Sequence, residues 1–446
     1  MVNGNKQSKS TDAKKNNVVE KKVDKKGKKN GSKEEKSRNP EKEEKSKFKD
    51  LKEEKSKVPD DGKKQEDKKE VKKEEKKKDE KNKKSKNRKS KMKPPPDTQE
   101  LANKKKFCNW FFVDELDCKK LMRDFVALRA PSTCVADTMK KHSEKCRYYD
   151  ILCPDATRVV LQNRPPDNDF IHANWMTMPD KFRYISAQGP MDQTVEDFWH
   201  MVYTEKAPAV VMICDWEEDG IQKCSRYIPS EDNISHVCGI YRITKIDQMT
   251  MVYADVALQS FEISVTDKSL ECPSLVVKHY HFLKWRDHTA PMTSISVLKL
   301  LKALRDPKRP GPPVIHCSAG IGRTATLIGV DYGNQRIGEV GEMNVLDIVR
   351  EMRQMRDKAV QSHHQFIFML MCIADRMVLD GVPQNDNMLD LADFYTEFMK
   401  KVLMERKKKD EAEKAKKEKE EKRKRDEAND KTNEKSALSK TQSVLQ

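Results

Sequence analysis

Apolar residues recur with regular spacing only in the central part of this chain, from about residue 104 to residue 402. In DQTVEDFWHMVYTE, the side chains of Val195, Phe198, Trp199 and Val202 fall at helical spacing, as do Ile295, Leu298, Leu301 and Leu304 in SISVLKLLKALRD. Each segment predicts a helix with one buried face. Between them, short apolar runs predict strands: AVVMIC at 209–214, stretches near Tyr241 and Tyr253, LVVKHYHFLKW at 275–285 and PVIHC at 313–317. After Arg323 the rhythm is helical again, in TATLIGVDYG, VLDIVREMRQM and HQFIFMLMCIADRM. Strands in the middle with helices on either side predict an α/β (α+β) fold, a mixed sheet flanked by helices, without an internal repeat.

The flanks lack this rhythm. The first hundred residues are dominated by Lys, Glu, Asp, Ser and Asn. They have too little apolar surface to offset the entropy of ordering a chain, so 1–103 is expected to be disordered. Folding is expected to begin where Phe107, Trp110, Phe111 and Phe112 follow the Pro94-Pro95-Pro96 break. The expected catalytic domain is 104–402. From 403 to 446 the chain is charged again and rich in helix formers with Glu and Lys at helical spacing, which predicts a solvated helix without an apolar stripe to dock it.

The net charge of +17 comes largely from Lys-rich runs such as 76–93. Such runs attract acidic proteins, anionic membranes or nucleic acid, although mixed Lys/Glu tracts without aromatics offer neither base stacking nor a fixed groove. The segment KNKKSKNRKSKMK also matches the loose pattern of a nuclear import signal. The start MVNGNKQSKS has no apolar core of a secretion signal, and no stretch approaches the roughly 20 apolar residues that span a bilayer. A soluble, cytoplasmic protein is expected, with the nucleus as the alternative. All 11 cysteines lie between Cys108 and Cys372, with no CxxC pair and no recurring spacing, which argues against a disulfide framework and against a zinc module.

The chemistry concentrates in VIHCSAGIGRT at 314–324, between a strand pattern and a helical one. Five residues separate Cys317 from Arg323, two of them glycine. A loop of that kind curls so that the backbone N–H groups of Ser318, Ala319, Gly320, Ile321 and Gly322 converge above the helix N-terminus, a cradle for a phosphate dianion. The same donors favour the thiolate form of Cys317, a nucleophile, while the planar fork of Arg323 suits two phosphoryl oxygens. HCSAGIGRT resembles the active-site signature of the protein tyrosine phosphatases, and the resemblance spans about 107–400, in the tyrosine-specific, non-receptor, single-domain style. It implies that family's highly twisted mixed sheet and hydrolysis of phosphotyrosine in proteins through a phosphocysteine.

Other roles follow from the resemblance. Asp287 in Trp285-Arg286-Asp287 is similar to the mobile acid loop, with Arg286 where the family has proline. It would protonate the tyrosyl oxygen and later act as base. Gln361 and Gln365 match the glutamine pair that places the hydrolytic water and substrate, and Thr324 would donate to the departing thiolate. Tyr148 and Asp150 in CRYYD resemble the recognition loop: the ring walls a slot that phosphoserine is too short to fill, and the carboxylate accepts from substrate N–H groups. Glu218 and Lys223 resemble the loop that supports the arginine and the acid, and His316 supports the nucleophile. Departures from the family pattern are Cys146 for asparagine, Phe170 for tyrosine and Ala325 for glycine. A pseudophosphatase that binds phosphotyrosine without turnover is the alternative; a dual-specificity phosphatase is disfavoured by domain length and the aromatic loop. No cofactor or metal is implied, the expected partners are phosphotyrosine proteins, and a monomer is expected.

Overall fold

The computed structural model describes residues 98–442 apart from 129–132, 268 and 310, so the Lys-rich run at 76–93 and nearly all of the expected N-terminal tail lie outside the described residues. Helix α1 (Gln99–Phe107) starts at Thr98, whose hydroxyl accepts from the Leu101 N–H. A π-helix over Cys108–Glu115 continues it and buries Phe111 and Phe112. Helix α2 (Cys118–Ala127) is capped by the Asp117 carboxylate, and the short α3 (Asp137–Lys141) precedes the first strand.

The strands are β1 (Arg158–Val160), β2 (Phe170–Thr177), β3 (Arg183–Ala187), β4 (Ala209–Met212), the hairpin β5 (Glu217–Glu218) and β6 (Ile221–Gln222), then β7 (Ser235–Cys238), β8 (Tyr241–Lys245), β9 (Thr250–Tyr253), β10 (Val256–Val265), β11 (Leu275–Phe282) and β12 (Val314–His316). The main sheet runs β1-β2-β3-β12-β4-β11-β10-β8-β7, with β9 also paired to β10. Pairing is parallel across β3, β12, β4 and β11 and antiparallel elsewhere. This is the mixed sheet expected. Its last strand in sequence, β12, sits between β3 and β4, with Val314 opposite both Ile185 and Val210. All three of its residues are buried, so it is covered on both faces.

Helices α4 (Val195–Thr204), α5 (Ile295–Leu304), α6 (Arg323–Val340), α7 (Val345–Met355) and α8 (His363–Asp380) flank the sheet. Helix α6 leaves directly from the loop after β12 and packs against α8. At Gly329 a β-carbon would stand 2.4 Å from the Met369 sulfur, so the two helices approach closely there. The strand expected over 275–285 ends at Phe282, because Trp285 turns away to bury its ring between Phe282 and Phe368, with centroids 5.4 and 5.5 Å apart.

Helix α9 runs without interruption over Asp386–Gln442. The boundaries expected at 103/104 and 402/403 therefore fall inside helices. On the N-terminal side, the buried ammonium of Lys104 bonds Glu100 at 2.6 Å and Asp380 at 2.7 Å, tying α1 to the end of α8. On the C-terminal side, Met388, Leu391, Tyr395 and Met399 form a buried stripe at helical spacing. The helix then continues past 402 with polar anchors in place of the missing apolar stripe. No helix among the described residues is long and apolar enough to cross a membrane.

Candidate active site

Strand β12 delivers Cys317 to the C-terminal edge of the parallel strands, and α6 begins at Arg323, so the intervening loop is clamped at both ends by regular structure. The loop carbonyls point outward to fixed donors. Ser186 Oγ donates to Gly320 O at 2.8 Å, Gly189 N–H to Ser318 O at 2.9 Å, and Arg356 Nη2 to Ala319 O at 2.8 Å. Turning the carbonyls out turns the amides in, and Gly320 N–H lies 3.2 Å from Cys317 Sγ. Gly320 has φ +68°, and a β-carbon there would meet Ala187 O at 2.2 Å, so no other residue fits.

Arg323 is buried and oriented by two loops. Its Nη1 donates to Glu218 Oε1 at 2.5 Å and to Trp285 O at 2.9 Å, and Nη2 lies 3.2 Å from Asp287 Oδ1. Burial works against its charge, but Cys317, Asp287 and Glu218 outweigh it and hold the guanidinium protonated. Asp287 also accepts from Lys223 Nζ at 2.9 Å. Burial would raise the Asp287 carboxyl, yet Arg323 and Lys223 together keep it below the usual carboxylate range. Glu218 and Lys223 flank the Asp219-Gly220 turn of the β5–β6 hairpin, where both turn residues have positive φ.

Tyr148 stands at the mouth, its hydroxyl 2.9 Å from Ser318 Oγ, which in turn donates to Lys223 O at 3.1 Å. Arg147 holds that loop in place by donating to Gly189 O and Pro190 O at 3.2 and 2.7 Å. Asp150 lies apart at the rim, 60% exposed, 3.2 Å from Lys358 Nζ. Gln361 faces the loop: its Oε1 would be 2.9 Å from a β-carbon at Gly322. Gln365 is fully buried and caps α8, accepting from the Gln361 N–H at 3.2 Å, and its Nε2 has no partner among the described residues. Thr324 Oγ1 is likewise buried without a partner among them.

Behind the nucleophile position, His316 Nδ1–H donates to Cys317 O at 3.2 Å and Nε2 accepts from Tyr227 Oη–H at 2.7 Å, leaving the Tyr227 oxygen to accept from His279 at 2.7 Å. Burial pushes His316 down to about 3, so the imidazole is neutral. Cys146 proves to be a packing residue: it lies against the small cluster of Ala136, Met139, Cys153 and Phe170, and burial pushes its thiol up to about 12.

With the exception of Asp150, which stays at the rim, the residues singled out from sequence gather around the loop from Cys317 to Arg323. The model of the protein-tyrosine phosphatase family matches residues 142–375, just over half of the sequence. The chain belongs to the protein-tyrosine phosphatase family. Human receptor-type tyrosine-protein phosphatase alpha is 32% identical over 269 residues, 58% of this chain and 33% of that protein. Mouse tyrosine-protein phosphatase non-receptor type 9 is 33% identical over 265 residues, 55% of this chain and 44% of that one. The chain thus spans less than half the length of these relatives. Among solved structures, the catalytic domain of human protein tyrosine phosphatase non-receptor type 18 superposes with a TM-score of 0.51 at 28% identity, covering 58% of this chain and 94% of that one. A structure of PTPN18 in complex with HER2 phosphopeptides aligns with a TM-score of 0.50 at 27% identity, covering 58% and 91%.

Two contributors to this site were not singled out from sequence. Arg356 is fully buried and also donates to Gly320 O, to Asn174 Oδ1 at 2.6 Å and to His172 Nδ1 at 3.1 Å. In the sequence it reads as the cationic C-terminus of an amphipathic helix, and only its short spacing to Gln361 hints otherwise. Ser186 reads as one polar residue in an apolar strand.

Proposed function

We propose that this protein hydrolyses phosphotyrosine in proteins by way of a phosphocysteine at Cys317. The observation that carries the reading is the Cys317 sulfur, which accepts from the Gly320 N–H at the foot of α6, with Arg323 beside it oriented by Asp287 and Glu218. Arg323 and the loop amides bind the phosphoryl oxygens; the thiolate attacks phosphorus; Asp287 hands its proton to the tyrosyl oxygen as the P–O bond breaks. In the free site Arg323 and Lys223 favour the Asp287 carboxylate. A bound phosphate dianion shares the Arg323 charge and adds a like charge beside the carboxylate, which pushes Asp287 back towards its protonated, donating form. Gln361 then places a water against the phosphocysteine, Asp287 takes its proton, and Thr324 donates to the departing sulfur. Tyr148, on the lip beside Ser318, makes the slot deep, so phosphotyrosine reaches the sulfur and phosphoserine does not. The PTPN18 complex with phosphopeptides supports this substrate class.

The deciding experiment is turnover of a phosphotyrosine peptide by the full chain, with a phosphoserine peptide as comparison and Asp287→Ala as the mechanistic variant. Hydrolysis of the first alone is expected. Asp287→Ala should slow aryl phosphates with poor leaving groups most, and equal losses across leaving groups would remove Asp287 from acid catalysis. Peptide binding without turnover would instead favour the phosphotyrosine-binding reading.

A pH prediction follows from Lys223. Its hydrogen bond and charge help to hold the Asp287 carboxyl down, so Lys223→Met raises that carboxyl. A general acid acts while protonated, so the descending limb of the kcat profile should move to higher pH in Lys223→Met. A limb that stays in place or moves to lower pH contradicts the assignment.

A further inference from the structure

We propose that the C-terminal helix is a strap acting within the chain on the acid loop, with Arg406 as the positioning residue for Asp287; this rests on the function proposed above. Helix α9 is seated by its buried stripe and by Tyr395 Oη–H, which donates to Pro291 O at 2.5 Å, just beyond the acid loop. The Phe398 ring stacks on His364 at 5.0 Å. Two helical turns further along the same face, Arg406 Nη1 donates to the backbone oxygen of Asp287 at 3.0 Å and Nη2 bonds Asp219 Oδ2 at 2.5 Å. One turn later Asp410 pairs with Arg286 at 3.2 Å.

Arg406 therefore ties together the two segments that converge on Arg323: the acid loop, which brings Trp285 O and Asp287, and the β5–β6 hairpin, which brings Glu218 and Lys223. Its side chain is mostly covered, at 22% exposure, so its hydrogen bonds are less weakened by water than those of a fully exposed pair. The Asp410 contact uses Arg286, the position where the acid loop lacks proline. An acid loop without that ring loses a built-in restraint on φ, and an ionic contact from α9 restores restraint from outside. The Arg406 contact is made with Asp287 turned onto Arg323, and a loop that must close over substrate is sensitive to a contact at that point.

The test uses the full chain with Arg406→Met, which keeps the aliphatic stem, and the charge exchange Arg286→Asp with Asp410→Arg. Two quantities are read: hydrogen exchange of the backbone amides at 284–290, and kcat and KM for aryl phosphates of graded leaving-group pKa. Arg406→Met is expected to speed exchange in that segment and to lower kcat about tenfold for the poorest leaving groups, with little change for the best and little change in KM. Arg286→Asp alone should loosen the loop, and the double exchange should recover it. Unchanged exchange at 284–290 in Arg406→Met overturns the strap whatever the activity shows. Faster exchange in a chain that never hydrolyses phosphotyrosine would sink the proposed hydrolysis and leave the strap standing. If Arg406→Met exchanges rapidly throughout, the double exchange decides: loop protection equal to the parent supports the strap, and protection no better than in Arg286→Asp refutes it.

Discussion

Cys317→Ser is expected to lower phosphotyrosine turnover on the order of 10⁴- to 10⁶-fold while phosphopeptide binding survives. Sulfur is the intrinsically stronger nucleophile, whereas a serine hydroxyl would have to lose its proton to a neighbouring base before it could attack. None is in position. His316 is the adjacent imidazole, but its Nδ1–H is committed to Cys317 O and its Nε2 to Tyr227, and it faces the backbone rather than the sulfur. In the proposed attack Asp287, held by Arg323 and Lys223, carries the proton meant for the tyrosyl oxygen and so is not a base at that step. Binding depends on Arg323 and on backbone amides that serine leaves untouched. The measurement is calorimetric binding of a phosphotyrosine peptide beside steady-state turnover. Residual turnover above a thousandth of the parent rate would remove Cys317 from the nucleophile role, and lost binding would mean that the thiolate, not the cradle, organises the loop.

Arg356→Met should be the most damaging change away from the reacting atoms. The guanidinium is buried and donates to two loop carbonyls, Ala319 O and Gly320 O, and to Asn174 and His172. His172 Nε2–H donates to Ile151 O at 2.9 Å, so its Nδ1 is free to accept, and burial with the Arg356 charge lowers the imidazole to about 3. Methionine fills similar volume but takes the guanidinium donor from Ala319 O, Asn174 Oδ1 and His172 Nδ1, while Gly320 O keeps its bond from Ser186 Oγ. The expected loss is about 3 kcal/mol, which for a domain of about 300 residues is roughly 5 °C in Tm. Because those carbonyls hold the amides inward, the surviving folded enzyme should also bind phosphate more weakly. Thermal unfolding and inhibition by inorganic phosphate check both. An unchanged Tm would show that water replaces the guanidinium at no cost; weaker phosphate binding alone would show a role in shaping the loop rather than in holding the fold.

How far the site could be read beforehand differs residue by residue. The Cys317 to Arg323 loop was legible because its chemistry is local: a strand, a curl with glycine at the one position of φ +68° and a helix start follow each other in the chain. Tyr148, Asp287 and Gln361 were legible only through resemblance, since a lone tyrosine, aspartate or glutamine in a loop carries no periodic signal. Ser186 was not legible at all, and Arg356 only by its short spacing to Gln361. Their partners are the carbonyls of a loop brought to them by the sheet, and a donor to a distant carbonyl leaves no pattern in its own neighbourhood.

The C-terminal segment shows the same division from the other side. Its helical character was evident from Glu and Lys at helical spacing and from strong helix formers. The absence of an apolar stripe beyond 402 suggested that nothing would hold it. Yet helix propagation from the buried stripe at 388–399 carries Arg406 and Asp410 to the acid loop, where single polar contacts suffice because the helix is already seated.

By itself, then, the sequence determined the rhythm of strands and helices, the loop from Cys317 to Arg323 and the chemical types around it, because these depend on neighbours within a few turns. Only the tertiary structure decided that β12 enters the middle of the sheet, which groups hold the loop carbonyls outward, and that the last helix reaches back to Asp287. Those depend on pairing between segments more than a hundred residues apart, from Val314 against Ile185 to Arg406 against Asp287, where geometry and not local propensity selects the partner.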